Sequence, residues 1–162
     1  MLKPAQLYRE ELTRKLTECW YEPRYKYYFS GSSHELEIPR DNEARHDFVH
    51  LDKNGEVDGY FSYRVDWWAK SLYNFGLIGF AESNTLFLRD CVRRVEEMVR
   101  QGIRRAEFWA WSDNPVNKFY ERVIEKYDGR IAGELHQSGF FDGKYHGTTI
   151  YEIIFGGYEN EA

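Results

Sequence analysis

Cysteine, proline and methionine are scarce in this chain, and each scarcity removes a class of protein. Two cysteines, Cys19 and Cys91, cannot build the disulfide framework that staples small secreted domains. Four prolines and no low-complexity tract leave nothing that reads as a linker, so residues 1–162 are expected to form a single domain. No apolar run approaches the ~18 residues of a membrane span, and no signal peptide opens the chain. Basic charge is short as well. Lys and Arg number 22 against 27 Asp and Glu, a net charge of −5, which argues against nucleic acid because phosphate contacts need a basic surface. Arg93, Arg94, Arg100, Arg104 and Arg105 do cluster, but Glu96 and Glu97 interleave with them as on a solvated helix face. Both thiols sit on apolar helical stripes, so a reduced, cytoplasmic protein is expected.

What the chain has in excess is aromatic side chains: 13 Tyr, 11 Phe and 5 Trp. Large rings bury much area at modest entropic cost, so part of this excess builds a core. The remainder is expected to wall a cleft or to cover an interface such as a homodimer face.

Pro4 opens a helix with Ala5, Tyr8, Leu12, Leu16 and Cys19 on its apolar stripe. An aromatic, basic segment follows from Trp20 to Ser33, where Pro23 forbids an unbroken helix and Gly31 with its serines ends the run. From Ala44 the period changes to two. Residues 46–52 and 56–69 read as a hairpin on an Asn54-Gly55 turn, and Ser71 to Ala81 makes a third strand. A long helix spans Asn84 to Gln101 on a stripe of Leu88, Cys91, Val92, Val95, Met98 and Val99, with Gly102 as its left-handed stop. Residues 129–137 and 148–155 form a closing hairpin across Ser138 to Gly147.

Between these lies the most informative stretch, Arg104 to Tyr127. Ala106, Phe108 and Ala110 alternate with Glu107, Trp109 and Trp111 as in a strand, which stops at Ser112-Asp113-Asn114-Pro115. Asn114 suits a helix cap and Pro115 the first turn, and Val116, Phe119, Tyr120, Val123, Ile124 and Tyr127 then share one helical face. A strand end feeding a helix start is where α/β folds usually place ligands.

This order of elements, with its last helix written NPVNKFYERVIEKYDG, resembles the GNAT family of N-acetyltransferases over about Ala44 to Phe155. The resemblance implies an α/β (α+β) fold: a mixed, mostly antiparallel central sheet flanked by helices, with a central parallel strand pair. It implies acetyl-CoA as co-substrate and an amine on a small molecule or peptide as acceptor. A GNAT-fold binding module without catalysis is the alternative. Carried over by position, Asn114 or Asn117 holds pantetheine, and Tyr120 within Phe119-Tyr120-Glu121 protonates the departing thiolate. The end of the third strand, including Gly79, Phe80 and Ala81, offers backbone N–H groups to the thioester carbonyl. Asn84 and Thr85 at the start of the long helix face the pyrophosphate.

The family signature before that helix is Arg or Gln, two residues, Gly, one residue, then Gly or Ala. Here it falls on Glu82-Ser83-Asn84-Thr85-Leu86-Phe87, so Glu82 replaces the Arg or Gln and Thr85 and Phe87 replace small residues. A solvent-screened carboxylate beside a diphosphate adds repulsion of order 1 kcal/mol. Helix-terminus N–H groups, however, do not depend on side chains.

Glu82, Asp66 and Glu107 stand as alternatives for a general base, which is unassigned. His46 and His50 are four residues apart on a strand, ~13 Å, too far for one metal ion, and His34, His136 and His146 are isolated. An acceptor pocket is expected among Trp67, Trp68, Tyr60, Tyr63, Tyr73 and the Trp20 to Phe29 segment, with at least one of the adjacent tryptophans in the core. Gly139 to Gly143 reads as a lip over the site or a plain hairpin loop.

Overall fold

A computed structural model describes residues 1–20, 22–29, 42–82 and 84–156; the expected stop at Gly31, His34, and Ser83 lie outside the described residues. Strand β1 (Leu2–Pro4) leads through a 3-10 turn (Ala5–Tyr8) into α1 (Arg9–Cys19). The helix thus starts later than Pro4 implied, although Ala5, Leu12, Leu16 and Cys19 are all buried as the stripe predicts. Pro23 opens a second 3-10 turn (Pro23–Tyr25), which redirects the chain into the short α2 (Lys26–Phe29).

Strands β2 (Arg45–Leu51), β3 (Val57–Asp66) and β4 (Ser71–Gly79) follow. The β2–β3 loop is closed by the Asp52 carboxylate, which accepts from the backbone N–H groups of Asn54 and Glu56, while Gly55 takes φ +86°. Helix α3 (Thr85–Arg100) crosses to β5 (Arg105–Trp111), and α4 (Asn117–Lys126) leads to β6 (Arg130–Phe141) and β7 (Lys144–Ile154). The last hairpin differs from expectation. Its strands run through most of Ser138 to Gly147 and turn on Asp142-Gly143 alone, at φ +53° and +72°, the two-residue geometry whose twist matches paired strands.

The seven strands lie in the order β1-β2-β3-β4-β5-β7-β6, and every pairing is antiparallel except β4 with β5, which the α3 crossover makes parallel. Alternation along the strands sorts the core into two faces. On one, α1 packs Leu12 and Leu16 with Val49, Tyr60 and Ile78. On the other, α3 packs Phe87, Cys91 and Met98 with Phe61, Tyr63 and Leu72, and α4 packs Tyr120 with Phe108 and Tyr151. Phe75 and Leu77 of β4 touch both of these last clusters. They sit where α3, α4 and the parallel strands meet.

Candidate active site

The parallel pairing is brief: Ser71 faces Arg105 and Leu72 faces Ala106, and there it stops. The cause is local. Asn74 takes φ +52°, and Asn74 and Phe75 together oppose Tyr63 alone between the pairs Arg64–Tyr73 and Ser62–Gly76. That is a β-bulge, which bends its strand and ends pairing on the far side; Asn tolerates the left-handed conformation better than most residues. Beyond it β4 and β5 part around a cleft of about 810 Å³.

One wall of the cleft is the end of β4. The Phe80 N–H donates to the Asp58 carbonyl at 2.8 Å and so faces β3. Alternation turns the backbone N–H groups of Leu77 and Gly79 the other way, toward the parted β5. Gly79 and Ala81 line the cleft. The Phe80 ring packs with Tyr25 and the α1 core instead, which corrects its placement among the cofactor residues.

At the start of α3, Asn84 precedes the first helical residue but makes no side-chain cap hydrogen bond. Its amide lies on Gly79, where a Cβ would meet Oδ1 at 2.2 Å, and that buried Oδ1 has no partner. An unpaired polar atom beside a cleft is a standing offer to a ligand. Thr85 is exposed and does not line the cleft, which separates it from Asn84. The Phe87 ring, the bulkiest departure from the GNAT signature, is packed into the core against His50 and the Gly59 backbone, so it contributes to the wall of the cleft but does not fill it. Across the cleft, Arg24, Lys118 and Arg122 outnumber Glu82.

The two asparagines separate. Asn117 donates to the carbonyls of Trp111 and Ser112 at 2.9 and 3.0 Å and accepts from the Tyr151 hydroxyl at 3.0 Å. Its amide is consumed in joining β5, α4 and β7, so the pantetheine role falls away from it. Asn114 lines the cleft and accepts from the Val116 N–H at 3.1 Å, which leaves its amide donors for a ligand. Helix α4 therefore begins at Asn117, after a turn that Asn114 and Pro115 shape, not at Pro115 itself.

Tyr120 lies at the back of the cleft, its ring centroid 4.8 Å from Phe108 and 5.5 Å from Tyr151. Burial pushes its phenol above the usual range, so it stays protonated, though as a weaker acid than a free tyrosine.

The opposite lip is aromatic. Tyr25, Tyr27, Tyr28, Trp109 and Trp111 line it. The Trp111 indole donates to the Tyr27 carbonyl at 3.1 Å, and the Tyr27 hydroxyl donates to the Asp113 carbonyl at 3.1 Å. The β6–β7 hairpin clamps this wall: Lys26 pairs with Asp142 at 2.8 Å, and Asp113 meets His146 Nδ1 at 2.9 Å and Lys144 at 3.0 Å. Phe141 stacks on the His146 ring at 3.6 Å. Burial pulls the Asp113 carboxyl upward, but hydrogen bonds from His146 and Lys144 outweigh it and hold it at about 2.

Several expected residues lie elsewhere. β3 ends before Trp67, so the tryptophan pair does not alternate across a sheet, and both are exposed; neither is core. Asp66 caps the β3–β4 turn through the Ala69 N–H at 2.9 Å, and Glu107 pairs with Arg105 at 2.5 Å. Only Glu82 of the three carboxylates lines the cleft. His50 pairs with Asp58 at 2.5 Å, and among the described residues no three His, Cys, Asp or Glu side chains are grouped to hold a metal. Lys118 and Arg122 were the missed cations; their four-residue spacing on the polar side of the last helix was the available signal.

Solved structures carry the same architecture. A GNAT-family protein from Chromobacterium violaceum aligns over 94% of this chain and 86% of its own, with 15% identity and a TM-score of 0.70. A ribosomal-protein N-terminal acetyltransferase from Salmonella typhimurium aligns over 95% and 94%, with 17% identity and a TM-score of 0.70. The spermidine N-acetyltransferase of Vibrio cholerae, solved with CoA and spermine, aligns over 95% and 94%, with 16% identity and a TM-score of 0.67. No protein-family model matches the sequence, and no curated protein does. The chain has the GNAT fold.

Proposed function

We propose that this single-domain protein is an acetyl-CoA-dependent N-acyltransferase acting on an amine. The observation that carries the reading is the conjunction, in one cleft, of outward N–H groups on β4 with a protonated Tyr120 on α4. The fold neighbours support it, since the Vibrio cholerae enzyme was solved with CoA.

The thioester carbonyl accepts from the Leu77 or Gly79 N–H, which stabilises the oxyanion. The amine nitrogen forms its bond to the carbonyl carbon, the carbon–sulfur bond breaks, and Tyr120 gives its proton to the sulfur. The surplus proton on nitrogen leaves to solvent, which reprotonates Tyr120. Pantetheine runs beside Asn114 and Ala81, and the diphosphate meets the free N–H groups of α3 beside Asn84. Arg24, Lys118 and Arg122 supply the positive charge that the altered signature withholds.

The acceptor amine enters over the aromatic lip, whose ring faces attract an ammonium ion or an apolar body. Two free, buried thiols fit a reducing cytoplasmic setting. Glu82 is the one feature favouring a binding module without catalysis. Calorimetry with acetyl-CoA, followed by a free-thiol assay over a panel of amines, separates the two. Binding with thiol release supports the transferase; binding with no release over the panel favours the module, and no heat at millimolar ligand removes CoA altogether.

A further inference from the structure

The cleft does not end at Tyr120. Behind it a second cavity of about 60 Å³ lies between α3, α4 and the sheet, and Phe75, Leu77, Phe119 and Tyr120 are walls of both spaces. Its far side is Cys91, Val95, Ala106 and Phe108. Glu96 stands at its edge, but its carboxylate is engaged by the Tyr127 hydroxyl and by Lys126. The Tyr127 hydroxyl is turned to Glu96, and the surface that the lining residues, Tyr120 included, present to the cavity is hydrocarbon, ring and thiol. Water finds no partners in such a space, and dry apolar cavities take apolar guests.

Its position relative to the chemistry decides the guest. The transferase reading, on which this inference rests, allows the thioester carbonyl at the Leu77 or the Gly79 N–H; the pocket is reached from the Leu77 position, with the sulfur near Tyr120. The acyl chain then leaves the carbonyl carbon between Phe75, Leu77 and Tyr120, the walls that the two spaces share. The geometry points to a donor longer than acetyl: a propionyl or butyryl CoA thioester, straight or branched, whose tail fills the cavity while the same carbon–sulfur bond breaks. A volume of 60 Å³ falls between the ~10–15 Å³ that admits one water and the ~150 Å³ that admits benzene, which matches about two carbons beyond acetyl.

Calorimetry on the intact chain, without an amine, tests this with CoA and its acetyl, propionyl, butyryl and octanoyl thioesters. Affinity is expected to rise about four-fold per methylene from acetyl to butyryl and to stop rising by octanoyl. Val95→Phe fills the cavity and should bring the butyryl-to-acetyl affinity ratio to about one, with circular dichroism confirming that the variant folds. Equal or falling affinity beyond acetyl in the unaltered protein overturns the pocket and leaves the transferase standing. If no CoA species binds, both fall.

Discussion

The Phe87 ring lies against the backbone of Gly59, so close that a Cβ there would meet three of its atoms at 2.8 to 2.9 Å. Gly59 is the third residue of β3, inside the paired strand, where glycine forfeits packing and entropy. It is present because α3 sets an aromatic ring where the GNAT signature has a small residue. The bulk that the sequence sets at the start of α3 is absorbed by the sheet beneath it.

Gly59→Ala should therefore destabilise the fold by about 1–3 kcal/mol, the usual penalty for overpacking. Phe87→Leu in the same chain should recover part of that loss, since the two changes meet at one contact. Urea denaturation of the two single variants and the double variant measures the coupling; strictly additive effects would show that the ring yields freely.

Tyr120→Phe removes one hydroxyl and keeps the ring that packs on Phe108 and Tyr151. Turnover should fall about 10²-fold at neutral pH, within the range for a lost general acid, with CoA affinity nearly unchanged. An unaltered rate would take the phenol out of the chemistry.

Among the described residues Glu82 is the only carboxylate lining the cleft, against three cations. Glu82→Gln should tighten CoA binding about five-fold at low salt, the equivalent of ~1 kcal/mol of screened repulsion, and the gain should shrink as salt rises. Lys118→Glu should act in the opposite sense. Titration calorimetry at two ionic strengths reads both signs.

Asp113 is held at about 2, below the ~3.9 of an unfolded aspartate, so its bonds to His146 and Lys144 contribute stability above the unfolded value. That contribution is lost as pH falls from about 4 through about 2. Tryptophan fluorescence should report loosening around Trp111 over that window. Asp113→Asn should be less stable at pH 7 and lack this acid step; superimposable acid curves would show that the clamp holds nothing.

Long periodic elements were legible in the sequence, and short irregular ones were not. The α3 stripe and the Phe119-Tyr120 face of α4 repeat over several turns, so one face was forced and the buried tyrosine fell where expected. The opening between β4 and β5 rests on the backbone angle of Asn74, which no periodicity reveals. Asn114 and Asn117 look equivalent as letters and differ only in what surrounds them. The Asp142-Gly143 turn did carry a signal, but Ser138 and Gly139 masked the strands on either side. Trp67 and Trp68 follow an alternating run whose last residue only the β3–β4 turn defines.

The bulge at Asn74 has a thermodynamic corollary. Because one surplus residue within a strand creates the notch, its two edges are held by the same ladders that hold the sheet. A ligand arriving there meets two edges already fixed by strand pairing, so those edges cost it little chain entropy. Removing Asn74 would take away the surplus residue opposite Tyr63 and return β4 to one-for-one pairing with β3, straightening the edge that bounds the notch.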